Sequence, residues 1–262
     1  MIHYHGTPIS GDKITAVRFL QNRHALVPFF YQQNLAAVSE VCSSFVFDTS
    51  AYTIWKKGGE FDYPKYLKWV EEWCQHPSFD WAIIPDVIPI SDDESFIAQN
   101  DHYLSLFPEE LKSYGVPVYH MNEPIERLVD LANEWHRVAL GSSGEFSYPN
   151  SNKWWDRINQ IMPKITSEEG KPICKLHGLR MMNPAVVKHI PFSSVDSATA
   201  GRNANNKDNK IYRPISAEQR AEVIANRLEA TNSPNVWTGR LKEEGDEAYK
   251  IIDEVITEVE KQ

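Results

Sequence analysis

The sequence alternates short apolar runs with longer segments in which apolar residues recur at the spacing of a helix. The runs are rich in β-branched and aromatic residues and predict eight strands: residues 2–5, 25–29, 44–48, 81–86, 116–120, 137–141, 173–178 and 193–196. A regular alternation of strands and helices favours an α/β fold with a parallel sheet. The chain is thereby constrained to a barrel or to an open, doubly wound sheet.

Helical spacing predicts seven internal helices, over residues 33–42, 64–75, 93–114, 124–134, 153–169, 185–189 and 216–230. An acidic segment over residues 243–261 adds one more, with an apolar stripe formed by Ile251, Ile252, Val255, Ile256 and Val259. We expect a barrel domain over residues 1–240 and an acidic C-terminal helix over residues 241–262. That helix packs on the barrel or on a partner subunit.

The length decides between the two sheet architectures. A chain of 262 residues with about eight strands fits a (β/α)₈ barrel, which forms a single domain of roughly 250 residues. No G-x-G-x-x-G or phosphate-loop motif follows a predicted strand, which weakens the case for a nucleotide-cofactor fold on an open sheet. We therefore predict an α/β fold, a single (β/α)₈ TIM-like barrel with a C-terminal helical extension.

Composition and charge narrow the compartment and the partners. The three cysteines, Cys42, Cys74 and Cys174, are odd in number and widely spaced, which indicates a reducing compartment rather than a disulfide framework. No run approaches the ~18 apolar residues of a membrane span, and the first residues lack a signal-peptide pattern, so we expect a cytoplasmic protein. A net charge of −9 argues against a protein that coats nucleic acid, although it allows a local basic groove.

Chemically active residues follow most of the predicted strands. The strand ends carry His5-Gly6, Asp48-Thr49, Pro85-Asp86, His120-Met121, Gly141 to Gly144, His177-Gly178 and Asp196-Ser197. In a (β/α)₈ barrel these ends surround one axis and form the active site. Asp48, Asp86 and Asp196 would then share one site, where one carboxylate can attack a sugar carbon while another transfers protons. Crowding of like charges should raise the pKa of at least one of them.

Five short motifs resemble those of the tRNA-guanine transglycosylase superfamily, and they occur in the same order between residues 45 and 203. Residues 47–52 resemble the family's Asp-Ser-Gly-Gly-Phe-Gln segment, and residues 84–86 resemble its base-reading aspartate. Residues 139–145 resemble its Ala-Leu-Gly-Gly loop, and residues 176–179 its Leu-Met-Gly-Val strand. Residues 195–202 resemble its nucleophile segment, in which an aspartate precedes an arginine by six positions.

Within that superfamily the chain is most similar to the DNA 7-deazaguanine transglycosylases of phages and bacteria. Residues 5–8, 176–180 and 196–197 are typical of that branch. The tRNA enzymes have a zinc site of three cysteines and a histidine near the C-terminus, whereas the cysteines here all precede residue 175. The resemblance therefore implies no cofactor and no metal. It also implies DNA as the polymer, with RNA still open, and a free 7-deazaguanine as second substrate.

The resemblance also implies a role for each site residue. Asp196 would attack C1′ of a guanosine, Asp48 would act as general acid and base, and Asp86 would bind the N1–H and amine of the base. The remaining predicted base-binding residues are Gly141, Ser142, Ser143, Glu145, His120, His177 and Gly178. The predicted nucleic-acid contacts are Arg202, Asn203, Lys207 and Lys210.

Other functions remain open from the sequence. A metal-dependent amidohydrolase on the same fold would use His3, His5, His120, His177 and Asp196 as ligands. A catalytically inactive barrel could bind a base or a nucleic acid. A nucleoside hydrolase would use the same aspartates, with water in place of the incoming base. The residues do not separate exchange from hydrolysis, nor do they specify the deazaguanine, the sequence context or the oligomeric state.

Overall fold

The computed structural model describes residues 1–9, 13–57, 60–88, 95–204 and 216–239. Within these ranges a single parallel sheet has the strand order β5-β4-β3-β2-β1-β9-β8-β7-β6. Its strands are β1 (Ile2–Gly6), β2 (His24–Pro28), β3 (Ser44–Asp48), β4 (Phe79–Ile83), β5 (Gly115–Val116), β6 (Val118–His120), β7 (Arg137–Gly141), β8 (Lys175–Leu179) and β9 (Ser194–Ser197).

The two ends of this order, β5 and β6, are consecutive in the chain and are separated by Pro117. Proline has no N–H to donate, so it interrupts a strand. On one side Gly115 and Val116 pair with β4, and beyond the proline the chain pairs with β7. The segment thus joins both ends of the sheet and closes a barrel with eight strand positions, which confirms the predicted (β/α)₈ barrel.

Helices surround the strands on the outside. They are α1 (Lys13–Leu20), α2 (Leu35–Val41), α3 (Ala51–Lys57), α4 (Tyr63–Trp73), α5 (Ser95–Leu106), α6 (Ile125–Glu134), α7 (Asn152–Ile161), α8 (Pro184–Val187), α9 (Thr199–Asn203) and α10 (Ala217–Glu229). No helix in the described ranges is long and apolar enough to cross a membrane. The predicted acidic helix over residues 241–262 lies outside the described residues.

Side-chain alternation along the strands separates two apolar layers. The barrel interior is filled by Tyr4, Leu26, Val46, Trp81, Ile83, Val116, Val118 and Ala139. Their neighbours along the strands face the helices; Phe47, for example, stacks on Trp69 of α4 with ring centroids 3.5 Å apart. Because successive strand residues point to opposite faces, Asp48 points toward the barrel axis.

The packing of β8 against its surroundings gives the first testable prediction. A methyl group added at Gly178 would lie 3.0 Å from both Met181 Cβ and Phe192 Cζ, which is closer than side chains normally pack. We expect Gly178→Ala to lower the free energy of unfolding by about 1–3 kcal/mol, as overpacked core substitutions do. Urea unfolding measures it. Gly141→Ala is the control, because its methyl group would lie 3.4 Å from Val118; equal stability of the two variants would contradict the prediction.

Candidate active site

Asp48 ends β3 at the end of the barrel where all strands have their C-termini, which we call the mouth. Burial, together with the nearby charges of Asp196 and Asp86, raises the pKa of Asp48 to about 7. A hydrogen bond from the Ser50 backbone N–H and the charge of Arg180 act in the opposite direction. A carboxyl group with this pKa is present in both protonation states at neutral pH, as a general acid and base requires.

The turn after β3 connects Asp48 to its surroundings. Ser50 has a φ of 66°, and this left-handed conformation directs its N–H to Asp48 Oδ2 at 2.9 Å. Its hydroxyl oxygen accepts a hydrogen bond from the Phe30 N–H, at 3.2 Å. Thr49 Oγ1 donates to Asp86 Oδ1 at 3.4 Å. The turn therefore holds two of the three aspartates in fixed relation to each other.

Asp196 lies in β9 and is held from the neighbouring strand. The backbone N–H of Arg180 donates to Asp196 Oδ1 at 2.7 Å, and His177 Nε2 lies 3.3 Å from the same oxygen, outside hydrogen-bond geometry. His177 Nδ1 contacts Ser194 Oγ at 2.9 Å. Burial lowers the pKa of His177, although Asp196 partly offsets that effect, so the ring is neutral at neutral pH. These contacts engage Oδ1 of the Asp196 carboxylate rather than Oδ2.

Asp86 follows β4 and meets His120 at the end of β6. His120 Nε2 lies 3.1 Å from Asp86 Oδ2, at an angle outside hydrogen-bond geometry. The backbone N–H of His120 donates to Glu123 Oε2 at 3.0 Å. Asn100 fixes the segment after Asp86, since its side chain accepts from the Val87 N–H at 2.6 Å and donates to the Val87 carbonyl at 3.3 Å.

The loop after β7 uses its serine side chains for packing. Ser142 Oγ accepts a hydrogen bond from Trp154 Nε1 at 2.9 Å, and Ser143 Oγ donates to Asn122 Oδ1 at 2.6 Å. Glu145, predicted to line the base pocket, is an exposed residue in an ion pair with Lys153 of α7. The loop thus reaches the mouth next to His120, and Glu145 in it is exposed to solvent.

The remaining residues predicted to bind the base or the nucleic acid are Gly178, Arg202, Asn203, Lys207 and Lys210. The Cα of Gly178 faces Met181 and Phe192 on the outer side of the sheet, so tight packing already explains a glycine there. Arg202 is exposed on α9, and Asn203 donates to the Thr199 carbonyl at 2.9 Å. Lys207 and Lys210 lie outside the described residues.

The structure corrects the ligand set of the metal-hydrolase alternative. His5 Nε2 bonds Glu229 Oε1 of α10 at 2.7 Å, and His3 Nε2 contacts the Thr231 carbonyl at 3.1 Å. Both rings point outward from β1, whereas Tyr4 between them points into the barrel. Across the described ranges, no group of three or more His, Cys, Asp or Glu side chains is arranged to hold a metal ion. His3 and His5 therefore do not join Asp196 in one site.

Three residues that position the site were not predicted from the sequence. Arg180 supplies the N–H that holds Asp196, Asn100 fixes the segment after Asp86, and the fully buried Glu123 bonds the His120 backbone. Burial raises the pKa of Glu123. Only Arg180 had a signal in the sequence, a charged residue directly after a strand.

A cavity of about 330 Å³ opens beside the start of α4. It is lined by Phe29, Phe30, Gln32, Gln33, Glu60, Asp62 and Lys65. The three aspartates are not among these residues. Phe30 connects the two places, because its N–H donates to the Ser50 hydroxyl in the turn that holds Asp48.

The raised pKa of Asp48 predicts how its replacement changes stability with pH. In the unfolded chain this carboxyl ionises near its ordinary pKa of 3.8, but in the fold only near 7, so ionisation destabilises the fold as pH rises between these values. We expect Asp48→Asn to match the wild type near pH 4 and to exceed it in unfolding free energy by about 4 kcal/mol above pH 7. Urea unfolding across this range tests it; a pH-independent difference would contradict the raised pKa.

No protein-family model matches the chain, and no curated protein matches it. A solved structure of a fructose-1,6-biphosphate aldolase candidate from Coccidioides immitis is similar at 13% identity and a TM-score of 0.47, over 87% of this chain and 85% of that one. A chain of the tryptophan synthase complex from Pyrococcus furiosus is similar at 13% identity and a TM-score of 0.44, over 87% and 95%. Both likenesses concern backbone architecture alone.

Proposed function

We propose that this barrel is a base-exchange enzyme, a pentosyltransferase that replaces guanine with a 7-deazaguanine in DNA through a covalent aspartyl-sugar intermediate. The observation that carries the proposal is the raised pKa of Asp48, about 7, beside the charges of Asp86 and Asp196. A carboxyl group that can give and take a proton at neutral pH, beside a second carboxylate, is what a general acid and a nucleophile on one sugar need. The ordered motifs that resemble the transglycosylases support a nucleobase as the group that is exchanged.

In the first half-reaction Asp196 Oδ2 attacks C1′ of the target nucleotide. The C1′–N9 bond breaks, its electron pair goes to N9, and the neutral form of Asp48 gives its proton to the departing guanine. Because Asp196 Oδ1 is held by the Arg180 N–H, the carboxylate is oriented before the substrate arrives. The products are free guanine and a sugar ester on Asp196.

In the second half-reaction the incoming 7-deazaguanine attacks C1′ of the ester from the face that guanine left. The bond between C1′ and Asp196 breaks, its electron pair returns to the carboxylate, and Asp48 takes the N9 proton. Two displacements retain the configuration at C1′. Asp48 finishes protonated, which is the form that begins the next cycle.

Asp86 and His120 form the base-recognition side of the proposal. A carboxylate accepts hydrogen bonds only, so Asp86 suits the N1–H and the amine edge of guanine and its deaza analogue. His120 Nε2, 3.1 Å from Asp86 Oδ2, limits the rotation of that carboxylate. Asn100 accepts a hydrogen bond from the Val87 N–H and so helps to hold the adjacent Asp86 in position in the mouth.

Removal of the nucleophile tests the reaction directly. We expect Asp196→Asn to lower incorporation of radiolabelled guanine or 7-deazaguanine into DNA by about 10³-fold or more, because no ester can form. The measurement is run in parallel on DNA and tRNA. Cys174→Ser is the control and should keep its activity, since this cysteine directly precedes β8, at the end of the strand away from the mouth.

Each other result has a definite meaning. Near-wild-type exchange in Asp196→Asn would show that another residue is the nucleophile. Label in tRNA but not in DNA would overturn the choice of polymer. Guanine released from DNA with no label incorporated would identify a hydrolase that uses the same first half-reaction.

A change at Asp86 should affect base selection more than chemistry. We expect Asp86→Asn to raise KM for the incoming base at least tenfold while kcat falls less, because an amide offers one acceptor and one donor group to an edge of two donors. Steady-state kinetics with varied 7-deazaguanine measures both constants. A fall in kcat with unchanged KM would assign Asp86 to the chemical step instead.

A further inference from the structure

Arg180 has a side chain for which the proposed reaction gives no role. The residue follows β8 directly and has a φ of 57°, a conformation unusual for a residue other than glycine. Its backbone N–H holds Asp196, while its guanidinium lies over the ring of Tyr52 with Cζ 4.1 Å from the ring centroid. Tyr52 belongs to α3, which begins three residues after Asp48.

This contact crosses the mouth of the barrel. With residues 115–120 taken as one strand position, β3 and β8 lie opposite each other, since β2, β1 and β9 separate them on one side and β4, the 115–120 segment and β7 on the other. The Arg180 side chain therefore extends from the β8 end toward the β3 end. Its charge acts on Asp48, whose pKa it lowers.

The guanidinium is held in place yet remains available to a ligand. The Tyr52 ring covers one side of the guanidinium, and the N–H groups that point away from the ring can make a two-pronged contact. Arg180 is exposed, and within the described part of the chain its guanidinium has no carboxylate or carbonyl partner. A planar donor edge of this kind matches the oxygens of a phosphate.

A phosphate needs such a group at this place. Asp48, Asp86 and Asp196 give the mouth negative charge, which repels a polyanion. This repulsion is stronger at a protein surface than in bulk water, because the effective dielectric constant is lower there. A cation beside the carboxylates offsets this repulsion where the strand must approach them most closely.

We propose that Arg180 binds a backbone phosphate next to the reacting nucleotide, with Tyr52 holding its guanidinium in place. The inference rests on the proposed function and specifies how the polymer is held at that site. Since the backbone of the same residue bonds Asp196, the phosphate and the nucleophile are positioned by one turn. A free nucleoside lacks the phosphate and gains nothing from Arg180.

The test is equilibrium binding without turnover. The parent is Asp196→Asn, which cannot form the ester, and the probe is a fluorescent guanine-containing DNA duplex titrated at several salt concentrations. We expect addition of Arg180→Gln to weaken binding about tenfold at low salt and to reduce the slope of log affinity against log salt by about one. Lys175→Gln, at the opposite end of β8, is the control for net charge and should change neither.

A second substitution separates charge from geometry. Arg180→Lys keeps the charge but loses the planar edge, so we expect a loss of affinity with a nearly unchanged salt slope. This variant also preserves the test if Arg180→Gln does not fold. Circular dichroism before the titration shows which variants are folded.

The outcomes distinguish this inference from the proposed function. If the parent binds the duplex and both Arg180 variants bind with equal affinity and slope, the phosphate role is wrong while base exchange stands. If the parent binds no duplex at any salt concentration, both are wrong. The single Arg180→Gln variant can also be compared in exchange assays with the duplex and with free guanosine. A larger loss of activity with the duplex would support the inference, because only the polymer carries the phosphate.

Discussion

The site depends on how hydrogen bonds close the barrel at Pro117. The chain must pair with β4 before this residue and with β7 after it, and a residue without an N–H allows that change of partner. The Pro117 carbonyl still accepts from the Ala139 N–H at 2.9 Å, so the break in the ladder is small. Closure brings eight strand ends to one rim, and side-chain alternation then decides which residues point inward.

The carboxylates at this rim repel one another, and backbone N–H groups in nearby turns partly offset that repulsion. Among the described residues, four residues other than glycine have a positive φ, and two of these are asparagines, which tolerate it. The other two are Ser50 and Arg180, and their N–H groups bond Asp48 and Asp196. Such strain persists only where the surrounding structure holds it. Each aspartate thus receives a donor on one oxygen.

Sequence patterns predicted all eight strand positions and the aspartates at their ends, because apolar runs and turn residues are local signals. They did not predict α1, which has eight residues, fewer than a periodicity window needs. Nor did they predict that His3 and His5 point outward. β1 is buried on both sides, so its sequence does not alternate between polar and apolar residues in a way that marks the inner face. The role proposed for Arg180 depends on its contact with Tyr52 across the barrel, which no local pattern encodes.

The protonation of Asp48 follows from a balance of opposing charges. Asp196 and Asp86 raise its pKa, whereas Arg180 lowers it. A phosphate paired with Arg180 would cancel that positive charge and so raise the pKa of Asp48 again. The neutral form, which the proposed first half-reaction consumes, would then be most populated when a polymer strand is in place. A free base arriving at an empty mouth would instead meet a larger fraction of ionised Asp48. In the proposed reaction, this balance would tie proton supply to the presence of the substrate that needs it.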